Sequence, residues 1–149
     1  MIFSPQANQD LVIMVNLFLF SLILITQLVS YPLFLKVNEK HFAAYHQSYT
    51  FYISIIVMPA MVVELFLSIN QIIHSVDYFS VLNIVIIAMI WMSTFFIQVP
   101  IHNKIAFKYD KKLITKLITT NWIRTCAWTC KLFICILINY KFLWRNIVN

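Results

Sequence analysis

Glycine is missing altogether from this chain of 149 residues, where average usage would supply roughly ten. Its absence excludes a Gly-rich phosphate loop, and with it the common nucleotide-binding motifs. It also excludes the Gly-x-x-x-Gly contact of membrane helices, so close helix approach must use Ala and Ser. Charge is scarce as well, at 11 % Asp, Glu, Lys and Arg against about 25 % in soluble domains. That excludes a soluble core, a disordered chain and a soluble nucleic-acid module. Cysteine occurs three times, as Cys126, Cys130 and Cys135 within one apolar stretch. No Cys-x-x-Cys redox pair, zinc-ligand spacing or disulfide framework results, and the three read as apolar filler. The first 25 residues lack a basic start and a small-residue cleavage pattern, so their apolar core reads as a retained span and not a removed signal.

What remains is 62 % hydrophobic with a mean hydropathy of +0.84. Apolar runs over about 11–35, 43–69, 79–101 and 120–142 each reach the roughly 20 residues that cross a ~30 Å hydrocarbon layer. Unclosed strands cannot span lipid, and runs this long exceed barrel strands, so all four are helices. The expected fold is all-α: one polytopic domain over 1–149, a bundle of four transmembrane helices. Asp110 can cap an amphipathic segment whose stripe is Leu113, Ile114, Leu117 and Ile118, predicting a short helix on the inner leaflet before span four.

Lys36 and Lys40 in the first loop and Lys104, Lys108, Lys111, Lys112 and Lys116 in the third lie on one side, against Lys141 and Arg145 on the other. The positive-inside rule then places loops one and three in the cytosol, with both termini outside, as in a bacterial inner membrane. The net charge of +6 thus meets an anionic inner leaflet and not nucleic acid. A faint echo links residues 32–37 with 100–105, each reading Pro, aliphatic, two others, Lys, aliphatic. Two unrelated membrane helix ends reach such a match by chance.

Polar residues in the spans converge on the lysine-rich half. Span one ends there with Gln27 and Tyr31, and span two begins there with His41, Tyr45, His46 and Tyr49. Span three adds Gln98 and His102, and span four Asn121, Trp122 and Arg124, with Trp128 and Lys131 continuing its polar stripe. Polar groups in hydrocarbon cost energy unless partnered, so a site is one reading of this cluster and interfacial anchoring the other. Glu64 lies 18 residues beyond His46 on the same helix face. It is expected to form a structural ion pair with Lys131 across a depth difference on the order of 12 Å.

Of the chemistries such residues allow, a di-iron bundle fails because Glu64 is the one carboxylate inside a span. A Ser/His/Asp hydrolase lacks an inward Asp. A bis-histidine haem on His46 and His102, or a small metal site that adds His41, stays open, although no motif demands a cofactor. So does acid-base chemistry, with His46 or His102 as base and Arg124, Asn121 and Gln98 holding a developing oxyanion on a lipophilic small molecule. Tyr31, Tyr45, Tyr49, Gln98, Trp122 and Trp128 are then the candidates to hold that substrate. The competing class is non-enzymatic: a small proton-coupled transporter using Glu64 and Lys131, or a partner subunit of a larger complex. Self-association stays open.

The order Tyr31-Pro32-Leu33-Phe34, Tyr45-His46, Pro59-Ala60-Met61 with Glu64, Gln98-Val99-Pro100-Ile101-His102-Asn103 and Asn121-Trp122-Ile123-Arg124-Thr125 resembles the anthrone-oxygenase-like group of small four-helix integral membrane proteins. In that group a Val-Pro-aliphatic-x-Asn segment ends helix three and an Asn-x-x-Arg-Thr segment opens helix four. The resemblance covers most of the chain. It implies a four-helix bundle and, as in fungal relatives with an assigned activity, cofactor-independent oxygenation of an anthrone to an anthraquinone.

Overall fold

A computed structural model describes the backbone of residues 5–74 and 76–148, and side-chain surroundings for 7–74 and 76–140. Lys141 and Arg145, the two charges assigned to the far end, lie outside the residues whose surroundings are described. Span one is α1 (Pro5–Ile25), a π-turn (Thr26–Ser30) and α2 (Tyr31–Phe34); span two is α3 (Glu39–His74). Span three is α4 (Tyr78–Ser93), a second π-turn (Thr94–Gln98) and α5 (Val99–Ile105), and span four is α6 (Lys111–Val148). Each of the four is long and apolar enough to cross a membrane, so the chain reads as an integral membrane protein. Span one packs on spans two and four, and span four on span three, closing an up-down-up-down bundle.

Lipid tails compete with apolar side chains for contact, so packing and interhelical hydrogen bonds must hold such helices together. Here a polar bond joins each neighbouring pair. Asn121 Nδ2 donates to Gln27 Oε1 at 2.8 Å between spans four and one, and Gln98 Nε2 to Thr120 Oγ1 at 3.2 Å between three and four. Asn83 Nδ2 donates to Ser68 Oγ at 3.1 Å between three and two, and Asn70 Nδ2 to Asn8 Oδ1 at 3.0 Å between two and one. In a glycine-free chain these bonds carry the specificity that small-residue contacts otherwise supply.

The amphipathic segment before span four is no separate element; it forms the first turns of α6, which runs unbroken from Lys111. Asp110 caps that helix as expected, accepting from the backbone N–H groups of Lys112 and Leu113 at 2.8 and 3.0 Å. Asp110→Ala should therefore cost about 1 kcal/mol of stability, measured as a lowered midpoint of thermal unfolding in detergent. The echo between spans one and three also gains weight, because each carries a five-residue π-turn that begins at a Thr six residues before its Pro. Proline lacks an N–H and its ring crowds the carbonyl four residues back, and the wider π-turn relieves that crowding. The backbone N–H groups of Tyr31 and Val99 reach the carbonyls of Thr26 and Thr94, five residues back in each case.

The bundle is layered. Phe34, Phe42, Ile101, Ile105, Ile114 and Leu117 close its lysine-rich end. Leu19, Ile23, Met61, Ile86, Ile90 and Trp128 form a second apolar layer, with contributions from all four spans. Between the two lies a polar layer. Another, built on Glu64 and Lys131, is set within the far part of the second cluster, past Met61 and Trp128 and before Ile134.

Candidate functional site

The inner polar layer borders a cavity of about 310 Å³ whose lining includes Tyr31, Tyr49, Gln98, His102, Arg124 and Trp128 beside apolar Leu19, Ile23 and Met61. This size sits at the lower end of small-molecule pockets. The two π-turns place its opposite walls: Thr26 and Thr94, which open them, both line the cavity, and Tyr31 and Gln98 stand at their far ends.

A relay runs through the wall. The Tyr31 hydroxyl lies 3.0 Å from His102 Nε2, and His102 Nδ1 lies 2.8 Å from His46 Nε2. The two imidazoles are stacked at 5.1 Å with 29° between planes, and His46 in turn stacks on Phe42 at 5.6 Å. Phe34 meets the His46 ring edge-on at 5.5 Å. His46 is 1 % exposed and reaches the cavity only through His102.

Arg124 stands beside the Tyr31 hydroxyl. Its Nη1 donates to Asn121 Oδ1 at 3.2 Å, Asn121 is held by Gln27, and Gln27 Nε2 donates to the Ile118 carbonyl at 3.2 Å. This chain fixes the guanidinium from behind, so Asn121 acts as a positioning residue. Arg124 Nε, the Tyr49 hydroxyl and Gln98 Oε1 are buried without a hydrogen-bond partner among the described residues, and all three residues line the cavity. Each unsatisfied buried group costs about 1–3 kcal/mol, a cost that a bound polar ligand would remove.

Of the other sequence candidates, Trp128 lines the cavity, whereas Tyr45 and Trp122 do not. Tyr45 is 41 % exposed, its ring set edge-on to Phe34, and Trp122 is 48 % exposed. The reason is helical rotation: each adjoins an inward residue, His46 or Asn121, and successive residues turn by about 100°. Glu64 and Lys131 form a direct ion pair, both fully buried. The expected gap in depth is absent because α6 begins at Lys111, which carries Lys131 further along the bundle than a helix starting near residue 120 would.

The imidazoles do not fit a bis-histidine haem. An iron between two imidazoles holds their nitrogens about 4 Å apart, whereas His46 and His102 are in direct hydrogen-bond contact. His41 is exposed at the start of α3, and among the described residues no three His, Cys, Asp or Glu side chains gather to hold a metal ion. Sequence reasoning missed the lining by Thr26, Thr94, Ser54 and Met58; the Thr-to-Pro spacing shared by spans one and three was the available signal for the first two. Comparison with protein-family models, curated proteins and solved structures finds no match.

Proposed function

We propose that the chain is a membrane oxidoreductase that removes a proton from a lipophilic aromatic or quinone-like substrate and lets dioxygen add to the resulting anion. The observation that carries this reading is Arg124. Arginine keeps its charge, and this one is buried against a cavity while the sole ion pair among the described residues joins Glu64 to Lys131. An isolated cation in a low-dielectric pocket is a site for negative charge that develops on a substrate. The Tyr31 hydroxyl lies beside the guanidinium and 3.0 Å from His102 Nε2, so it can accept a substrate proton as its own passes to the imidazole.

With dioxygen as co-substrate the step balances. A ring methylene gives its proton to the relay, and Arg124 holds the oxygen-centred charge of the anion. The carbanion adds to dioxygen, and loss of one water leaves a ketone, so CH2 plus O2 becomes C=O plus H2O. The reading places the chain with the anthrone-oxygenase-like group, supported by the site's use of segments 31–34, 98–103 and 121–125. It sets the lysine-rich end toward the cytosol and its anionic headgroups. Transport fits less well, because it asks for a continuous polar path, and the cavity wall toward the Glu64–Lys131 pair is made by apolar Met61 and by Trp128, each three residues before a member of that pair.

The test is dioxygen uptake by nanodisc-embedded protein supplied with anthrone. The native chain should exceed the uncatalysed rate, and Arg124→Ala should lower turnover about 100- to 1,000-fold. Cys130→Ala, at an exposed position, should leave turnover unchanged. An undiminished rate in Arg124→Ala would remove the reading.

A further inference from the structure

Toward the Glu64–Lys131 pair the cavity is bounded by Leu19, Ile23, Met61 and Trp128, and it is open at its side. Its exposed lining residues all belong to spans two and three: Ser54 and Met58 on one, Phe95, Val99 and Asn103 on the other. Leu19, Ile23, Thr26, Tyr31, Arg124 and Trp128, from spans one and four, are buried. The opening follows from how span three divides. Its outer part, α4, packs on span two, the π-turn Thr94–Gln98 packs on span four, and α5 meets span two again at the His46–His102 pair, so the gap lies beside the π-turn. Apart from Ser54 and Asn103, the exposed residues at this mouth are apolar, and the mouth lies along two spans long and apolar enough to cross a membrane.

A shallow groove continues from the mouth along span two, from Gln47 to Pro59, and shares Thr50, Ser54 and Met58 with the cavity. It extends about 18 Å along the helix axis at 1.5 Å per residue. Its hydroxyls are turned away from a ligand. Ser54 Oγ donates to the Thr50 carbonyl at 2.6 Å and Thr50 Oγ1 to the His46 carbonyl at 2.9 Å, so both residues present carbon outward. Polar at its blind end, open sideways and prolonged by an apolar groove, the space matches a molecule with a compact polar ring and a long tail.

We propose that the substrate is a lipid-tailed aromatic or quinone molecule that enters sideways from the bilayer between spans two and three. Its ring meets Arg124 and Tyr31 in the cavity, and its tail stays in the groove along span two. The inference rests on the cavity being a substrate site and adds the substrate's tail and its route. A volume of about 310 Å³ holds a ring but not a long chain as well, so the tail must leave through the mouth.

The experiment uses nanodisc-embedded protein and two probes, a dimethoxy methyl benzoquinone without a tail and the same ring with a decyl tail, each dosed by its concentration in the lipid. Binding is read as quenching of the Trp128 emission, isolated by subtracting the signal of Trp128→Phe. The native chain should bind both probes. Ser54→Phe, placed where cavity and groove join, should weaken the tailed probe at least tenfold and the bare ring less than twofold. Ile56→Phe, on the exposed helix face outside both cavity and groove, should change neither. Unchanged binding of the tailed probe by Ser54→Phe, or binding of the bare ring alone by the native chain, overturns the inference and leaves the proposed reaction standing. No quenching of Trp128 by either probe overturns both. Binding of both with the expected Ser54→Phe effect, but no oxygen uptake, upholds this inference and removes the oxygenase reading.

Discussion

Lys131→Met should destabilise the detergent-solubilised protein by about 3–5 kcal/mol, while Glu64→Met and Lys131→Met together should return stability to within about 1 kcal/mol of the native chain. The single change leaves Glu64 buried as a carboxylate with only the Ser68 hydroxyl, at 3.3 Å, as a donor. Its second oxygen already has no hydrogen-bond partner among the described residues. The double change removes both charges and fills similar volume with apolar atoms, so neither desolvation nor repulsion remains to be offset. Ser68 can then turn its hydroxyl to the backbone carbonyl four residues earlier. Unfolding in sodium dodecyl sulfate, followed by circular dichroism, reads both variants. A loss below about 1 kcal/mol in Lys131→Met would mean that the pair does not exist in the folded chain.

That pair also bears on how the bundle divides its polar residues. Lys131 Nζ lies 5.9 Å from the centre of the Trp128 ring, which meets the cavity as well. Trp128 therefore stands as a wall between two polar layers of different character. Opposite charges cancel in the outer layer, whereas Arg124 stands in the inner one without a carboxylate among the described residues. A layer neutralised internally serves folding, and one with a surplus cation and unpartnered polar atoms beside a cavity is suited to a ligand.

Much of this arrangement was legible because lipid permits so few solutions. Runs of roughly 20 apolar residues can only be helices. Costly side chains such as Gln27, His46, Gln98, Asn121 and Arg124 had to face one another, and the structure brings them into one layer. Rotation and depth were harder to read. Tyr45 and Trp122 shared the composition of the cluster but not its helix faces. Lys111, Lys112 and Lys116 read as an interfacial helix, although in a continuous α6 they are exposed on its first turns. The π-turns were hidden because they depend on backbone crowding before Pro32 and Pro100, not on any hydropathy pattern. Each inserts an extra residue and so turns every later side chain by about 100°. That rotation brings Tyr31 and His102, from two such segments, to within hydrogen-bonding distance.

Tyr31→Phe and His102→Ala should each lower dioxygen uptake with anthrone about 100- to 10,000-fold, and the double variant should be no slower than the slower single one. The two groups are consecutive stations for one proton, and removing either breaks the same path, so their effects do not add. In one arrangement of hydrogens the Tyr31 hydroxyl donates to His102 Nε2 and His102 Nδ1–H to His46 Nε2, which leaves room at the Tyr31 oxygen for a substrate proton. As that proton arrives, the two existing ones shift along the 3.0 and 2.8 Å contacts. Positive charge then settles on His46, against the face of Phe42 and away from the reacting anion. His46→Ala should therefore cost less than either station nearer the cavity, because His102 can still take the proton but cannot pass it on. Additive losses in the Tyr31→Phe, His102→Ala double variant would show that the two residues act separately. A full loss in His46→Ala equal to that in His102→Ala would place the working base at His46, and Tyr31 and His102 would then serve as the path to it.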